Sequence, residues 1–220
     1  MTFLELLQTC IDDFGKSEAE WVSRHKRNLN RAMREIAKDR TYPFFVDYSN
    51  TFNTVAGTEE YTLVETDIQK LISVRITTSG YEKRLSPVRY DEFRAVHPAV
   101  SYATDPGTPA LYYTTGRTST NQLKIKLYPI PNAVVTIEYD YYMSPPVLAT
   151  DSDLPVLPPL YQDMLIDYAM WKSYEHEREP NMTPYYQKQW QDKLVQLRSD
   201  YQYPETAERL NVQYEGEEVE

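Results

Sequence analysis

Apolar residues in this chain recur at steps of three and four near both ends, and at steps of two in between. That change of period constrains the fold more than any single motif, because it assigns helices to the termini and a sheet to the middle. Residues 2–14 and 17–40 read as one helical pair. Residues 159–177 and a stretch from Thr183 to Pro204 read as another. Neither pair can bury its apolar stripe alone, so the economical solution packs both together and inserts the β unit between them. The expected fold is α+β: a four-helix bundle formed by the N- and C-terminal helix pairs, an inserted antiparallel β domain and an extended C-terminal tail. The expected division is residues 1–42 for the first hairpin, 43–147 for a β-rich platform, 148–204 for a linker and the last helices, and 205–220 for the tail.

The second helix carries two opposed faces. Trp21, Val22, His25, Leu29, Ala32, Met33 and Ile36 make its apolar side. Arg24, Arg27, Arg31, Arg34 and Lys38 recur at the same steps about half a turn away. Like charges at these spacings cost about 0.2–0.5 kcal/mol per pair, so four successive pairs cost roughly 1–2 kcal/mol. Glu35 and Asp39 relieve part of that. A solvated face and a surface that meets phosphates or an acidic partner both fit. Ser17 and Glu20 form a candidate capping box for this helix, as Thr2 and Glu5 do for the first. Leu4, Leu7, Ile11 and Phe14 give the first helix its apolar face, and Gly15 stops it. So short a connection predicts an antiparallel hairpin, closed at Tyr42-Pro43.

Tyr48, Asn50, Phe52 and Thr54 lead into a turn at residues 55–58. Short strands are expected at residues 61–63 and 71–76, the latter ended by Ser79-Gly80. A helical turn is expected at 89–96, with Pro87 near its first position and His97-Pro98 as its stop. After a loop at 105–109, residues 110–114, 123–128 and 134–142 read as three consecutive antiparallel strands. Residues 129–132 are the last connecting turn. Leu123, Ile125 and Leu127 alternate with Lys124 and Lys126, which predicts one dry face and solvated lysines. Val135, Ile137, Tyr139 and Tyr141 share a face. A proline-rich linker follows, with Asp151 and Asp153 in it. The third long helix carries Leu160, Met164, Leu165, Tyr168 and either Trp171 or Lys172 on one side. Thr183-Pro184 signals the start of the fourth, whose stripe is Tyr186, Trp190, Leu194, Leu197 and Tyr201.

A net charge of −10 argues against a general nucleic-acid binder, since phosphate contacts dominate such affinity. The basic helix inside an acidic chain suits a partner-specific surface. Cys10 is the one cysteine, so no intrachain disulfide is possible and a reducing setting is expected. No run of about 18 apolar residues exists to span a membrane. The N-terminus lacks the basic segment of a signal peptide. Tyrosine is abundant at 20 residues and glycine scarce at 6. Tyrosine suits subunit contacts, so this composition leans toward assembly.

Signs of chemistry are few. His25, His97 and His176 lie in unrelated contexts and read as structural. Cys10 reads as packing. Zinc spacing, a phosphate-cradling glycine loop and a nucleophile elbow are all missing. Asp12-Asp13 and Asp151/Asp153 are the close carboxylate pairs, and caps or linkers explain them. Trp171, Trp190, Tyr186 and Tyr201 sit at helical spacing and read as core. No catalytic residue, metal or cofactor is expected. Residues 205–220 hold six glutamates and one arginine, with Leu210, Val212 and Tyr214 alternating before Glu215, Glu217 and Glu218. This is either a frayed acidic end or a peptide that becomes ordered on a partner, as a strand added to a sheet edge would.

Five segments together resemble the head-to-tail adaptor proteins of tailed bacteriophages, also called neck, connector or tail tubular proteins. They are residues 55–63 (VAGTEEYTL), 85–93 (LSPVRYDEF), 107–113 (GTPALYY), 127–131 (LYPIP) leading into 137–142, and 151–155 (DSDLP) leading into the helix after Pro159. The likeness spans nearly the whole chain. It implies a non-enzymatic ring, often of twelve copies, docked beneath the portal after genome packaging, in the neck of a virion assembled in the host bacterial cytoplasm. Such a ring extends the DNA channel, contacts genomic DNA in transit and offers the tail or nozzle protein a platform. The resemblance also implies that the C-terminal segment clasps the portal; the alternating pattern of that segment makes Leu210, Val212, Tyr214, Glu215, Glu217 and Glu218 the candidate contact residues. That segment is the least family-like part of the chain. Arg24, Arg27, Arg31, Arg34 and Lys38 would then face the channel or a neighbouring acidic surface. The rival readings are a peptidoglycan hydrolase, which some relatives have been credited with being, and a DNA-binding module built on the basic helix. No motif carries hydrolysis onto residues of this chain.

Overall fold

The computed structural model of the chain describes residues 1–78, 81–96 and 106–201. The expected stops at Ser79-Gly80 and His97-Pro98, the start of the 105–109 loop and the whole 205–220 segment lie outside the described residues. Within them the fold is α+β, with five α-helices and mainly antiparallel sheets.

Helix α1 (Phe3–Phe14) opens on a complete capping box. Thr2 Oγ1 accepts from the Glu5 amide, and the Glu5 carboxylate accepts from the Thr2 amide. Gly15 closes it at φ 74°, a left-handed turn that glycine adopts without steric cost. The buried face is Phe3, Leu6, Leu7 and Cys10, while Leu4 is 48% exposed. The expected face is thus rotated. The Phe3 and Leu4 amides donate to the carbonyls of Asp153 and Asp151, which fixes how the helix sits. Helix α2 (Ala19–Asp39) begins later than its sequence suggests. Glu18, not Ser17, occupies the cap position, and no side chain caps it. The chain is still extended at Glu18, the position where a Ser17 cap needs the helix to begin. His25, Leu29, Ala32, Met33 and Ile36 are buried as expected.

Helix α3 (Tyr90–Val96) is short. Helix α4 (Asp163–Glu177) departs most from its one-sided pattern: every residue from Met164 to Met170 is buried. It packs against α1, against α2 and against α5 (Met182–Asp200), so no side of that stretch is left for solvent. Leu160, expected on its core face, lies in the preceding 3-10 turn and is 75% exposed. Helix α5 starts at Met182. Thr183 does not cap it, because its hydroxyl donates backward to the Glu179 carbonyl at 2.8 Å. The segment before α4 is not a loose linker. Leu148 and Leu157 are buried, Asn30 exchanges two hydrogen bonds with the Leu148 backbone, and the Asp153 carboxylate accepts from the Ala149 and Thr150 amides.

The strands are β1 (Val46–Asn53), β2 (Glu60–Thr62), β3 (Ile68–Thr78), β4 (Tyr81–Arg84), β5 (Ser86–Pro87), β6 (Pro106–Gly107), β7 (Leu111–Arg117), β8 (Leu123–Tyr128), β9 (Ile130–Pro131) and β10 (Thr136–Met143). One sheet has the order β1-β10-β3-β4 and the other β2-β8-β7-β5, with a small β6-β9 bridge. The expected run of three consecutive antiparallel strands is therefore wrong at its end. β7 and β8 pair antiparallel, but β10 joins the other sheet between β1 and β3. Pro129 and Pro131 have no amide to donate, and β9 is drawn off to pair with β6. Pro87 is not the start of a helix; it lies in β5, parallel to β7.

Apolar side chains gather into two clusters. One is helical, built from α1, α2, α4 and α5. The other lies between the sheets, around Val74, Ile76, Ile125, Leu127, Ile137 and Tyr139. Met143 packs against both. The alternation in β8 holds, with Leu123, Ile125 and Leu127 buried. Its lysines are not simply solvated: Lys124 pairs with Glu60 at 2.9 Å and Lys126 with Glu59 at 2.5 Å. Seven tyrosines, Tyr42, Tyr112, Tyr113, Tyr139, Tyr141, Tyr161 and Tyr168, are buried core residues. They are therefore not available for contacts between subunits.

Candidate functional site

The cationic face of α2 survives folding, with one member withdrawn. Arg24 turns back over the Trp21 ring, 5.2 Å from its centroid, and reaches Glu20 at 3.4 Å. Arg27, Arg31, Arg34 and Lys38 are exposed. Arg31 lies 4.0 Å from Glu35 and Lys38 3.1 Å from it. Among the described residues, no carboxylate lies within ion-pair distance of Arg27 or Arg34.

Arg31 and Lys38 edge an open groove of about 410 Å³ between α2, α4 and α5. Glu35 and Asp39 complete its α2 wall, Tyr168, Trp171 and Lys172 its α4 wall, and Trp190 and Leu194 its α5 wall. Lys172 Nζ sits 3.8 Å from the centre of the Trp171 ring, a cation–π contact, and bonds Glu175 at 2.8 Å. Tyr168 meets Trp190 edge to face at 4.9 Å. At one end Arg198 and the Tyr42 hydroxyl donate to Asp39. The Arg198 bond is the main reason its carboxyl stays below the ordinary range. Cations around an aromatic and aliphatic floor can hold an acidic peptide with apolar side chains. Sequence reading located the α2 cations but missed Lys172 as their neighbour. Its spacing left Trp171 and Lys172 as alternatives, and only the crossing of α4 over α2 brings both to the groove.

Beneath the cationic face lies a buried polar cluster. His25 Nδ1 is 3.3 Å from Ser173 Oγ, and Asn28 Nδ2 is 3.5 Å from the same oxygen. His25 Nε2 has no partner. Burial, helped by the Arg24 charge, lowers its pKa to about 4, so the ring is neutral in ordinary buffers. His25 is a structural histidine, as its position on the apolar stripe suggests. His176 is exposed beside Trp21, and His97 lies outside the described residues.

A second charged group sits on the β1-β10-β3-β4 sheet. Arg75 bonds Glu138, and also Asp140 at 3.1 Å, with Glu82 at 3.5 Å. Asp140 further accepts from Ser73 Oγ at 2.6 Å and from the Ser49 amide at 3.0 Å. Ser49 adopts φ 61° at a β-bulge to present that amide. Burial raises the Asp140 pKa, but these donors outweigh it and hold the carboxyl low. Every partner here is supplied from within the sheet, so the group is a clamp. Sequence alone gave no sign of it, because its members lie far apart along the chain.

The carboxylate pairs show no catalytic arrangement. Asp12 and Asp13 are exposed, with Asp12 accepting from Gln8, and Asp153 is a backbone cap. Cys10 is fully buried, and burial, with Asp13 and Asp167 nearby, pushes its thiol to about 12. Among the described residues, no group of three His, Cys, Asp or Glu side chains could hold a metal ion. No helix among them is long and apolar enough to cross a membrane. The expected portal-contacting residues Leu210, Val212, Tyr214, Glu215, Glu217 and Glu218 lie outside the described residues.

No curated protein matches the chain. The profile of the SU10 adaptor protein family matches residues 1–212, which takes in both helical ends and all of the sheets. The chain therefore belongs to the SU10 adaptor protein family, a family of phage head-to-tail adaptors.

Proposed function

We propose that the chain is a structural, non-enzymatic virion protein that docks on the portal as an oligomeric ring of about twelve copies. That copy number is what the resemblance implies; head-to-tail contacts whose rotation closes generate such rings. The ring extends the DNA channel and gives the tail or nozzle protein its platform. Helices α1, α2, α4 and α5 form a four-helix bundle from residues 1–42 and 148–204. Residues 43–147 form the platform, and residues 205–220 the portal-contacting segment. The observation that carries the reading is the family match through 212 of the 220 residues. The separate helical and sheet clusters support the division into bundle and platform. The exposed Arg27, Arg31, Arg34 and Lys38 face the channel or an acidic neighbour. A ring multiplies a modest charge into a belt, while the net charge of −10 keeps DNA from adhering.

The test is a chain lacking residues 205–220. It is expected to remain folded, since the described residues form both apolar clusters without it. It is expected to leave portal rings unoccupied in sedimentation. Full occupancy by the truncated chain would end the role assigned to that segment. Arg27→Glu with Arg31→Glu is expected to impair assembly or DNA retention, and unchanged particles would remove the role of the cationic face.

A further inference from the structure

The groove between α2, α4 and α5 fits one segment of this same chain, and where the chain leaves α5 says which. We propose that, before the portal is met, residues 205–220 lie in cis along this groove, with Leu210, Val212 and Tyr214 on its aromatic floor and the glutamates toward Arg31, Lys38 and Lys172. The proposal rests on the reading of that segment as the portal-contacting one, and adds what holds it beforehand.

Three observations carry it. The first is charge. Residues 205–220 hold six glutamates and one arginine. Arg31 and Lys38 share the single carboxylate of Glu35 and Lys172 bonds Glu175, while Arg27 and Arg34, on the same helix as Arg31, are exposed and without a carboxylate partner among the described residues, so cations outnumber carboxylates on this side. The second is the floor. Trp171, Trp190, Tyr168 and Leu194 line the groove, while the tail carries aliphatic and aromatic residues at alternate positions, the pattern of an extended peptide with one apolar edge.

The third is the exit point. Arg198, in the last turn of α5, is bonded to Asp39, which itself lines the groove. Tyr201 packs on Tyr42 and Phe44, with ring centres 6.1 and 5.3 Å apart. The chain therefore leaves α5 at the Asp39 end of the groove. From Asp39 back to Arg31 is about 12 Å along α2, at 1.5 Å per residue. Thirteen residues separate Tyr201 from Tyr214. At about 3.3 Å per extended residue that is far more than a turn and the return run require. A tethered segment needs only weak contacts to stay docked, and it yields to a portal that offers more of them. The groove thus keeps the portal-contacting residues covered on free subunits.

The test uses the full chain with Tyr214→Cys carrying a nitroxide. Cys10 is fully buried, with its thiol raised to about 12, so the label goes to position 214. The readout is the indole N–H signals of the three tryptophans. Trp171 and Trp190 line the groove, while the Trp21 ring meets His176 about one turn and a half further along α4, so the reference is the same sample with its nitroxide chemically reduced. The expected result is loss of the Trp171 and Trp190 peaks, restored when the nitroxide is reduced, at any protein concentration. The Trp171 peak should return in high salt, where screening shortens the reach of charge to about 3 Å at 1 M. It should return as well in Arg31→Glu with Lys172→Glu. Retention of all three peaks at low salt would overturn the proposal. So would a loss that deepens with concentration, which would assign the groove to another copy's tail. The portal is absent from this experiment, so the two readings fail separately. Portal binding with a sharp Trp171 peak sinks the groove alone, and a lost Trp171 peak without portal binding sinks the portal role alone.

Discussion

The helical region and the sheet region bury their interiors by different means. The helical cluster is held by volume: Leu6, Leu29, Ile36, Leu165 and Met170 are at most barely accessible, and its polar members His25, Asn28 and Ser173 touch through long bonds of 3.3 and 3.5 Å. The sheet region is held by direction. Tyr139 donates to Glu65 and Tyr141 to Asp47 and Asp67, the Arg75 clamp ties β3 to β10, and Lys124 and Lys126 tie β8 to Glu60 and Glu59. Buried tyrosines need a partner for each hydroxyl, and here carboxylates supply it; burial raises both phenol pKa values and the carboxylate bonds add to the rise. The helical region has such bonds too, from Tyr42 and Arg198 to Asp39 and from Lys193 to Asp167, but its cluster is otherwise apolar, so shape complementarity dominates there while ionised groups tie strand to strand in the sheets.

The largest effect should come from Leu165→Ala, at the centre of α4. A large-to-small change there is expected to cost about 2–5 kcal/mol. Helical circular dichroism should melt earlier while the tyrosine signal of the sheets melts near its original temperature. A single shared transition would break the contrast by showing that the two clusters unfold as one.

Arg75→Met tests the other side. It leaves Asp140 with Ser73 and Ser49 but without its cation. The Arg75 side chain is 27% exposed, so solvent screening reduces the loss to roughly 1–3 kcal/mol in denaturant unfolding, below the range for a fully buried pair. No change would show that the clamp is ornamental.

Acid should separate the regions in order. Below about 6.5 the unfolded chain protonates His25, whereas the folded site refuses the proton down to about 4. At His25 the unfolded state then binds more protons, so this site costs the helical region stability across that window, opposed by Asp167, whose burial raises its carboxyl pKa. Asp140 and Glu60 have depressed carboxyl pKa values, Asp140 through Ser73, Ser49 and Arg75 against its burial, and Glu60 chiefly through Lys124. Their stabilisation is present above the ordinary carboxylate range, near 4, and is lost only as pH falls through the lowered values. Denaturation at pH 7 and pH 5 should weaken the helical signal alone, and His25→Gln should flatten that slope. Equal weakening of both signals would contradict the division. The smallest effect is expected from Thr2→Ala, which removes the α1 cap at a cost of about 1 kcal/mol, read as an earlier helical melt.

Local features were legible in the sequence. The α1 capping box, the Gly15 stop, the buried stripe of α2 from His25 to Ile36 and the alternation in β8 all follow from spacing, and the structure has them. What spacing could not supply was depth and partnership. In α4, buried all round from Met164 to Met170, the stripe of Met164, Leu165 and Tyr168 marks only part of the covered surface. The pairing of β10 with β1 and β3 depends on strands some ninety and sixty residues earlier in the chain. Lys124 and Lys126 read as solvated because their glutamates lie more than sixty residues away. The tyrosines read as interface residues because composition cannot tell an outward ring from an inward one. Of the candidate site, the cationic face was visible as a period. The groove beside it required knowing which helices cross α2.

The central claim is that this chain is an adaptor for a portal. The most direct measurement is the mass of purified portal rings before and after incubation with excess full-length chain. The account predicts a rise by a whole-number multiple of the chain mass, close to twelve copies per ring as the resemblance implies. An unchanged portal mass at saturating chain would contradict it.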